Sequence, residues 1–361
     1  MDAKITKQRL SRMLSYDWVK IIGVIVAICI VWSLVFTMTA TQITPTQKFH
    51  VYNYKGNRAF SDKFVELYNR AFDTEFSYEI LEKGHEDLTT DINTILEARF
   101  SIGEGDLIFI SNTPNKDDSY TVGEGDEAQT YYRNYTETFA RGRVRYLYTL
   151  EGENSYFIGL ERYLSKYFFD ENGKVDLTNG TLNEEKAKAD FRERVKKDKR
   201  FKTEKQLLQG EIDDIARLNS YRDALIEFYS YYEQALVSFE TVTLTDYNGE
   251  ERTYTCYLNL NPAAPLVDDV TGEALKDAQG NLVYSEQVNA VDVRLTDYLA
   301  YYEEYINARG ENDKRATSKN MCVGFLNFDS LEKKYRTEEG FECEALLFVN
   351  MLIRAAHGLD L

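Results

Sequence analysis

The chain is poor in the residues that announce most chemistries: 4 prolines, 4 cysteines, 3 histidines and 2 tryptophans among 361 residues. Scarce proline beside 27 tyrosines and 20 phenylalanines excludes a low-complexity tail and points to a folded body. Beyond the first forty residues stand only Cys256, Cys322 and Cys343, with no Cys-x-x-Cys pair and no zinc spacing. A disulfide framework is therefore excluded; a single disulfide with one thiol left over stays open. Of His50, His85 and His357, only His85 adjoins acidic residues (Glu86 and Asp87), and it has no second histidine four positions on, so the zinc-protease pattern is missing. Gly103-x-Gly105 and Gly123-x-Gly125 do not continue into a phosphate loop, and Glu104 and Glu124 would repel phosphate. No metal or cofactor motif is present, and the expectation is a protein that is not an enzyme.

Only one long uncharged run occurs, IIGVIVAICIVWSLVFTM over residues 21–38, which suits one crossing of a bilayer with a core about 30 Å thick. Residues 1–20 carry Lys4, Lys7, Arg9, Arg12 and Lys20 against Asp2 and Asp17, a net +3. The positive-inside tendency then keeps this head in the cytoplasm and sends the bulk of the chain outside the cell membrane as a single-pass protein. A cleaved signal peptide is the rival reading, although the run is longer than an h-region and Met38-Thr39-Ala40 makes a poor cleavage site. With one spanning run, the chain is no channel or transporter by itself. The net charge of −17, less the +3 head, leaves −20 on the remainder, which disfavours nucleic acid and anionic lipid as partners.

After a linker at 39–48, the sequence has an alternating rhythm. Residues 49–54 read as a strand, 59–72 as an amphipathic helix, 75–81 as a second strand, 88–100 as a helix, and Asp106–Ile110 as a short apolar strand. That order predicts a parallel sheet with helices on its faces. Farther on, 144–150 alternates like a strand, 156–169 like an aromatic-rich helix whose Tyr156, Phe157, Tyr163, Tyr167 and Phe168 suit core packing, and 206–239 like a long helix. A hairpin is expected over 241–259, a strand over 323–328 and a helix over 342–356. Asp170 to Asp176 has the look of a calcium loop, but its glycine stands fourth rather than sixth, which favours a hairpin turn.

Residues 49–112 resemble the N-terminal lobe of extracellular solute-binding proteins of ABC transporters, the class that includes maltose-type binders. The resemblance lies in FHVYNY, AFSDKFVELYNRAF, EFSYEIL and LTTDINTILEARF leading into Gly103-Glu104-Gly105-Asp106-Leu107-Ile108. It implies two α/β lobes closing on a solute that is passed to a membrane permease. Lobe 1 would span 49–150 and lobe 2 151–361, with a crossover back to lobe 1. The chain departs from the family in carrying a transmembrane anchor where a lipidated cysteine is usual.

In an open α/β sheet, ligands sit beyond the carboxyl ends of the strands. Tyr52, Tyr54 and Asn57 at the end of the first strand, and Ser111, Asn112 and Thr113 after the third, are therefore the expected ligand contacts. The same residue types also build plain structural turns. The leading expectation is a membrane-tethered extracellular binder of a small polar solute, sugar or peptide, working beside an ABC permease or other membrane subunits. Two alternatives stay open: a cell-envelope structural or interaction protein on a diverged version of the fold, and an exported hydrolase using two facing carboxylates.

Overall fold

The computed structural model describes residues 7–39, 48–74, 80, 82–123, 128–196, 198–245, 248–262, 290–306, 309–328 and 343–359. They fall into two compact units, one within residues 1–43 and one within 44–361. The first unit is a single helix, α1 (Lys7–Thr39). Its stretch Trp18–Val35 is 18 residues long with a mean hydropathy of 2.5, long and apolar enough to cross a membrane.

The second unit is a mixed α/β domain. Its strands are β1 (Lys48–Asn53), β2 (Glu82–Asp87), β3 (Leu107–Ser111), β4 (Pro114–Val122), β5 (Gln129–Asn134), β6 (Phe168–Phe169), β7 (Thr181–Leu182), β8 (Ser238–Thr245), β9 (Glu251–Asn259), β10 (Tyr301–Ile306), β11 (Asn312–Thr317) and β12 (Met321–Phe325). Its helices are α2 (Asp62–Thr74), α3 (Ile92–Ser101), α4 (Tyr135–Arg143), α5 (Tyr156–Leu164), α6 (Glu184–Arg194), α7 (Glu204–Glu233), α8 (Ala290–Leu295) and α9 (Glu344–His357). Six strands make the main sheet in the order β2-β1-β3-β12-β9-β8; β4–β5, β6–β7 and β10–β11 are separate pairs.

β1 pairs in parallel with β2 and β3, and β12 inserts antiparallel beside β3. The alternation of side chains along each strand divides the core in two. Phe49, Val51, Leu107, Phe109, Met321 and Val323 face the α2, α5, α7 and α9 layer. Tyr52, Tyr54, Ile108, Ile110 and Cys322 face α3 and α4. Helices α2 and α3 thus cover opposite faces, as right-handed crossovers require when the chain steps from β1 to β2 and then back past β1 to β3. All five residues of β3 are buried, as suits a strand covered on both sides. Helix α9 is buried at 12 of its 14 positions, which makes it the central helix of its layer. Helix α7 begins with a capping box between Thr203 and Gln206.

Several expectations are corrected. The second strand, expected at 75–81, falls outside the described residues except for Ile80, and β2 is the polar run Glu82–Asp87. Residues 144–150 do not form a strand. Val144–Tyr146 is a 3-10 turn, and Leu147 makes only an isolated bridge to Leu326. The helix expected over 156–169 stops at Leu164, with Phe168 and Phe169 in β6, though all five of its aromatics named above are buried. Strands from both sides of residue 150 share the main sheet. At Asp170 the carboxylate accepts the backbone N–H groups of Asn172 and Lys174 around Gly173 at φ 75°, the geometry of a turn. Cys256, Cys322 and Cys343 are buried free thiols. Burial pushes Cys256 up to about 12, which leaves it protonated and inert.

Candidate functional site at the carboxyl edge of the sheet

Strand order reverses between β1 and β3, and at such a switch point the loops leaving neighbouring strands part and open a crevice. A cavity of about 740 Å³ opens there. Tyr54 and Lys55 enter it from the end of β1, Thr89 and Asp91 from the end of β2, and Ile92, Asn93 and Thr94 from the first turn of α3. Asn115 and Asp118 on β4 and Thr138, Arg141, Gly142 and Arg143 on α4 close the far side. A second cavity of about 590 Å³ on the same edge is lined by Gly56, Thr113, Tyr135, Tyr301, Tyr302, Glu304 and Lys314 among others. Lys55 from the first cavity pairs with Asp117 from the second.

The charges in the first cavity are unevenly satisfied. Asp118 accepts from Arg133 (3.0 Å), the Thr138 hydroxyl (3.0 Å) and Arg141 (3.2 Å). Burial opposes its ionisation, but the Thr138 hydrogen bond and the two guanidinium groups outweigh it and hold the carboxyl below its usual range. Arg143 is only 8% exposed, and its Nη2 donates to Asn93 Oδ1 at 2.8 Å. Among the described residues its nearest carboxylate, Glu97, is 3.7 Å away, and its buried Nε has no acceptor. Asp91 caps α3 in a left-handed conformation (φ 48°) without a side-chain hydrogen bond. Among the described residues, the backbone N–H groups of Ile92, Asn93 and Thr94 have no acceptor, since the first helical bond is Ile95 N–H to Asp91 O.

The opposite edge gathers charge of another kind. His50, Glu82 and Glu104 come together at the amino ends of β1, β2 and β3 with spacing a metal ion would accept. Lys48 Nζ already lies 3.1 Å from Glu104 and 3.3 Å from Glu82, and Arg99 lies 2.6 Å from Glu104. Two cations thus face two carboxylates, so a metal would have to displace an ammonium. Burial raises the Glu104 carboxyl, yet the hydrogen bonds from Lys48 and Arg99 prevail and it lies below its usual range. The His50 imidazole is pushed down by burial, against the pull of Glu104 and Glu82.

Of the six expected ligand contacts, two line a cavity and four are structural. Tyr54 forms a wall of the first cavity, edge-on to Phe139 at 5.3 Å, and Thr113 lines the second. Tyr52 is a correction: it is 0% exposed and its hydroxyl donates to Glu104 O. The other three make internal hydrogen bonds. Asn57 turns its amide inward to Asn53 Oδ1 and Phe109 O, and Ser111 is buried and accepts from Thr113. Asn112 Oδ1 is taken by Asn134 and Thr136, which ties β3 to the start of α4. Asn93, Asp118 and Arg143 escaped sequence reasoning. Only the rule that strand ends carry the site pointed toward them, and it names loops rather than the helix that comes to face them.

Comparisons with protein-family models, curated proteins and solved structures found no match to this chain.

Proposed function

We propose that the chain is a single-pass, membrane-tethered binding protein whose external α/β domain takes a small polar solute in the cavity at the β1/β3 switch point. The observation that carries this reading is the cavity itself: about 740 Å³ at the carboxyl ends of three parallel strands, where open α/β sheets hold their ligands, with mostly polar residues lining it. The five basic residues ahead of the apolar run supply the orientation, N-terminus in the cytoplasm. The resemblance to solute-binding proteins gains support from β12, which returns from near the end of the chain and inserts beside β3, as a crossover back to lobe 1 would. Because residues 44–361 gather as one unit, we place the solute against the sheet edge rather than between two closing lobes. Hand-over to a membrane permease would then depend on the tether. The facing carboxylates a hydrolase needs occur at Glu82 and Glu104, but Lys48 contacts both and Glu104 is held ionised, a poor setting for a general acid.

A second reading, an envelope interaction protein, is favoured by one observation. Tyr120, Val122, Tyr131 and Tyr132 on β4–β5, with Tyr302 and Ile306 on β10, are exposed. The two readings separate in a thermal-unfolding screen of the full chain in detergent against sugars, peptides, amino acids and small organic acids. Ligand that binds only the native state raises its apparent stability. A saturable rise for one class, abolished by Thr94→Trp at the exposed cavity mouth, is the expected result. No rise with any class rejects the binding reading.

A further inference from the structure

We infer that the solute carries a compact oxyanion, a carboxylate or a phosphate, and that this group docks between the first turn of α3 and Arg143. The inference rests on the binding function proposed above and names the chemistry of its ligand.

Two independent features converge. The first is the N-terminus of the ten-residue helix α3, whose Ile92, Asn93 and Thr94 N–H groups have no acceptor among the described residues and whose cap residue supplies no side-chain hydrogen bond. Such a turn presents several N–H donors and the positive end of the helix dipole. The second is Arg143, on a different element and 50 residues distant in sequence. Its side chain is nine-tenths buried in the cavity wall and bonded to a neutral amide; among the described residues its buried Nε has no acceptor and its nearest carboxylate, the exposed Glu97, lies 3.7 Å away. A buried guanidinium is costly unless an anion answers it, and the geometry of its fork suits carboxylate and phosphate. Asn93 links the two features, lying in the first turn of α3 while accepting from Arg143. Arg141 adds positive charge at the rim, and Asp118 is too fully engaged with Arg133, Arg141 and Thr138 to answer Arg143. Asp91, which lines the same cavity, and Glu97 are both exposed, so water screens them from a group held against Arg143.

The test uses the full chain in detergent at fixed ionic strength, titrated with inorganic phosphate, methyl phosphate, acetate and succinate, with neutral sugars and glycinamide as the other arm. Phosphate stabilises many proteins without binding, so a variant must separate the site from the salt effect. Asn93→Asp does this: it sets a carboxylate beside Arg143, in a helix first turn where acidic residues are favoured, and so occupies the site from within. The expected result is saturable stabilisation by the phosphates or by the carboxylates, whichever the cavity suits. Asn93→Asp should weaken it at least tenfold while unfolding no earlier than the parent. Arg143→Lys should weaken it less, by keeping charge and losing the fork. Equal stabilisation of parent and Asn93→Asp would overturn the inference. So would a response to neutral solutes alone, which would leave the binding function standing. Silence from both arms would remove the inference and the proposed function together.

Discussion

The two edges of the parallel strands β2-β1-β3 both collect charged side chains, and they treat them in opposite ways. At the amino edge Glu104, 4% exposed, meets Lys48 and Arg99, and Lys48 reaches on to Glu82. At the carboxyl edge Arg143, nearly as buried, meets a neutral amide and a glutamate 3.7 Å away. A self-compensated network of buried charge holds strands in register, whereas an under-compensated charge beside an open cavity costs folding energy that a ligand can return. The contrast fits a structural amino edge and, on the function proposed here, a ligand at the carboxyl edge.

The largest effect should come from the amino edge. Glu104→Gln leaves Lys48 with only the partly exposed Glu82 and Arg99 with only Glu86 at 3.6 Å. Removing the one buried member of a network whose cations are partly exposed should cost about 2–3 kcal/mol, toward the lower end for broken buried pairs. Both tryptophans lie in α1, so urea unfolding of the domain is best followed by circular dichroism. A loss below about 1 kcal/mol would show that the network is ornamental and remove the contrast.

A glycine at each edge gives the next comparison. Gly105 sits at φ 132°, and a Cβ there would come 2.5 Å from the ring of the fully buried Tyr52 and 2.9 Å from Leu326. Gly56, after β1, sits at φ 95° with the ring of Tyr135 at 2.5 Å, but Tyr135 is only half-buried and can swing away. Gly105→Ala should therefore cost about 2–3 kcal/mol, from overpacking and backbone strain together, and Gly56→Ala about 1 kcal/mol. Equal melting temperatures for the two variants would contradict the view that the amino edge is the rigid one.

Acid should act first on the amino edge. His50 faces Lys48, Glu82, Glu104 and Arg99, and its folded pKa lies below the unfolded value near 6.5. The unfolded chain then binds the proton first, and stability declines as pH falls from about 6.5 toward the folded pKa. Glu104, also depressed, contributes stability above its unfolded pKa near 4.5 that is lost as pH falls through its folded value. Melting temperature should drop in two stages on acidification, and His50→Gln should shrink the first, leaving the share of His357, whose imidazole burial also pushes down. An unchanged first stage in that variant would place the titration elsewhere.

Sequence legibility followed the same divide between local and assembled features. Strands β1, β3 and β12 and helices α2, α3 and α9 were readable from their apolar residues: short apolar runs in β3 and β12, which are buried along their whole length, an apolar stripe in α2, and a long apolar stretch in α9. Strand β2 was not. Its EKGHED is the end strand of the sheet, paired with β1 alone among the described residues, so nothing there forces apolar alternation on it, and the more apolar EFSYEIL just before it drew the assignment. Residues 144–150 misled in reverse. Leu147, Tyr148 and Leu150 are buried through tertiary contacts, including Tyr148 N–H to Phe325 O, on a backbone that is not a strand. At the candidate site, Tyr54 and Thr113 followed from the rule about strand ends. Arg143 could not, because one arginine among 43 basic residues looks like surface until the fold surrounds it.

The smallest expected effect on stability is the one that decides the contrast. Arg143→Gln removes a guanidinium that packs 5.6 Å from the Phe139 ring centroid and donates to Asn93. Losing those contacts costs something, but removing an under-answered buried charge repays part of it, so the net change should stay within about 1 kcal/mol. Glu104→Gln alters a side chain of similar burial on the same sheet and should cost about two to three times as much. If urea unfolding gives the two variants equal losses, Arg143 is as firmly built into the fold as Glu104, and the carboxyl edge holds no charge in reserve for a ligand. If Arg143→Gln is nearly silent in stability yet no oxyanion stabilises it, the charge serves recognition, for it then matters only when something is bound.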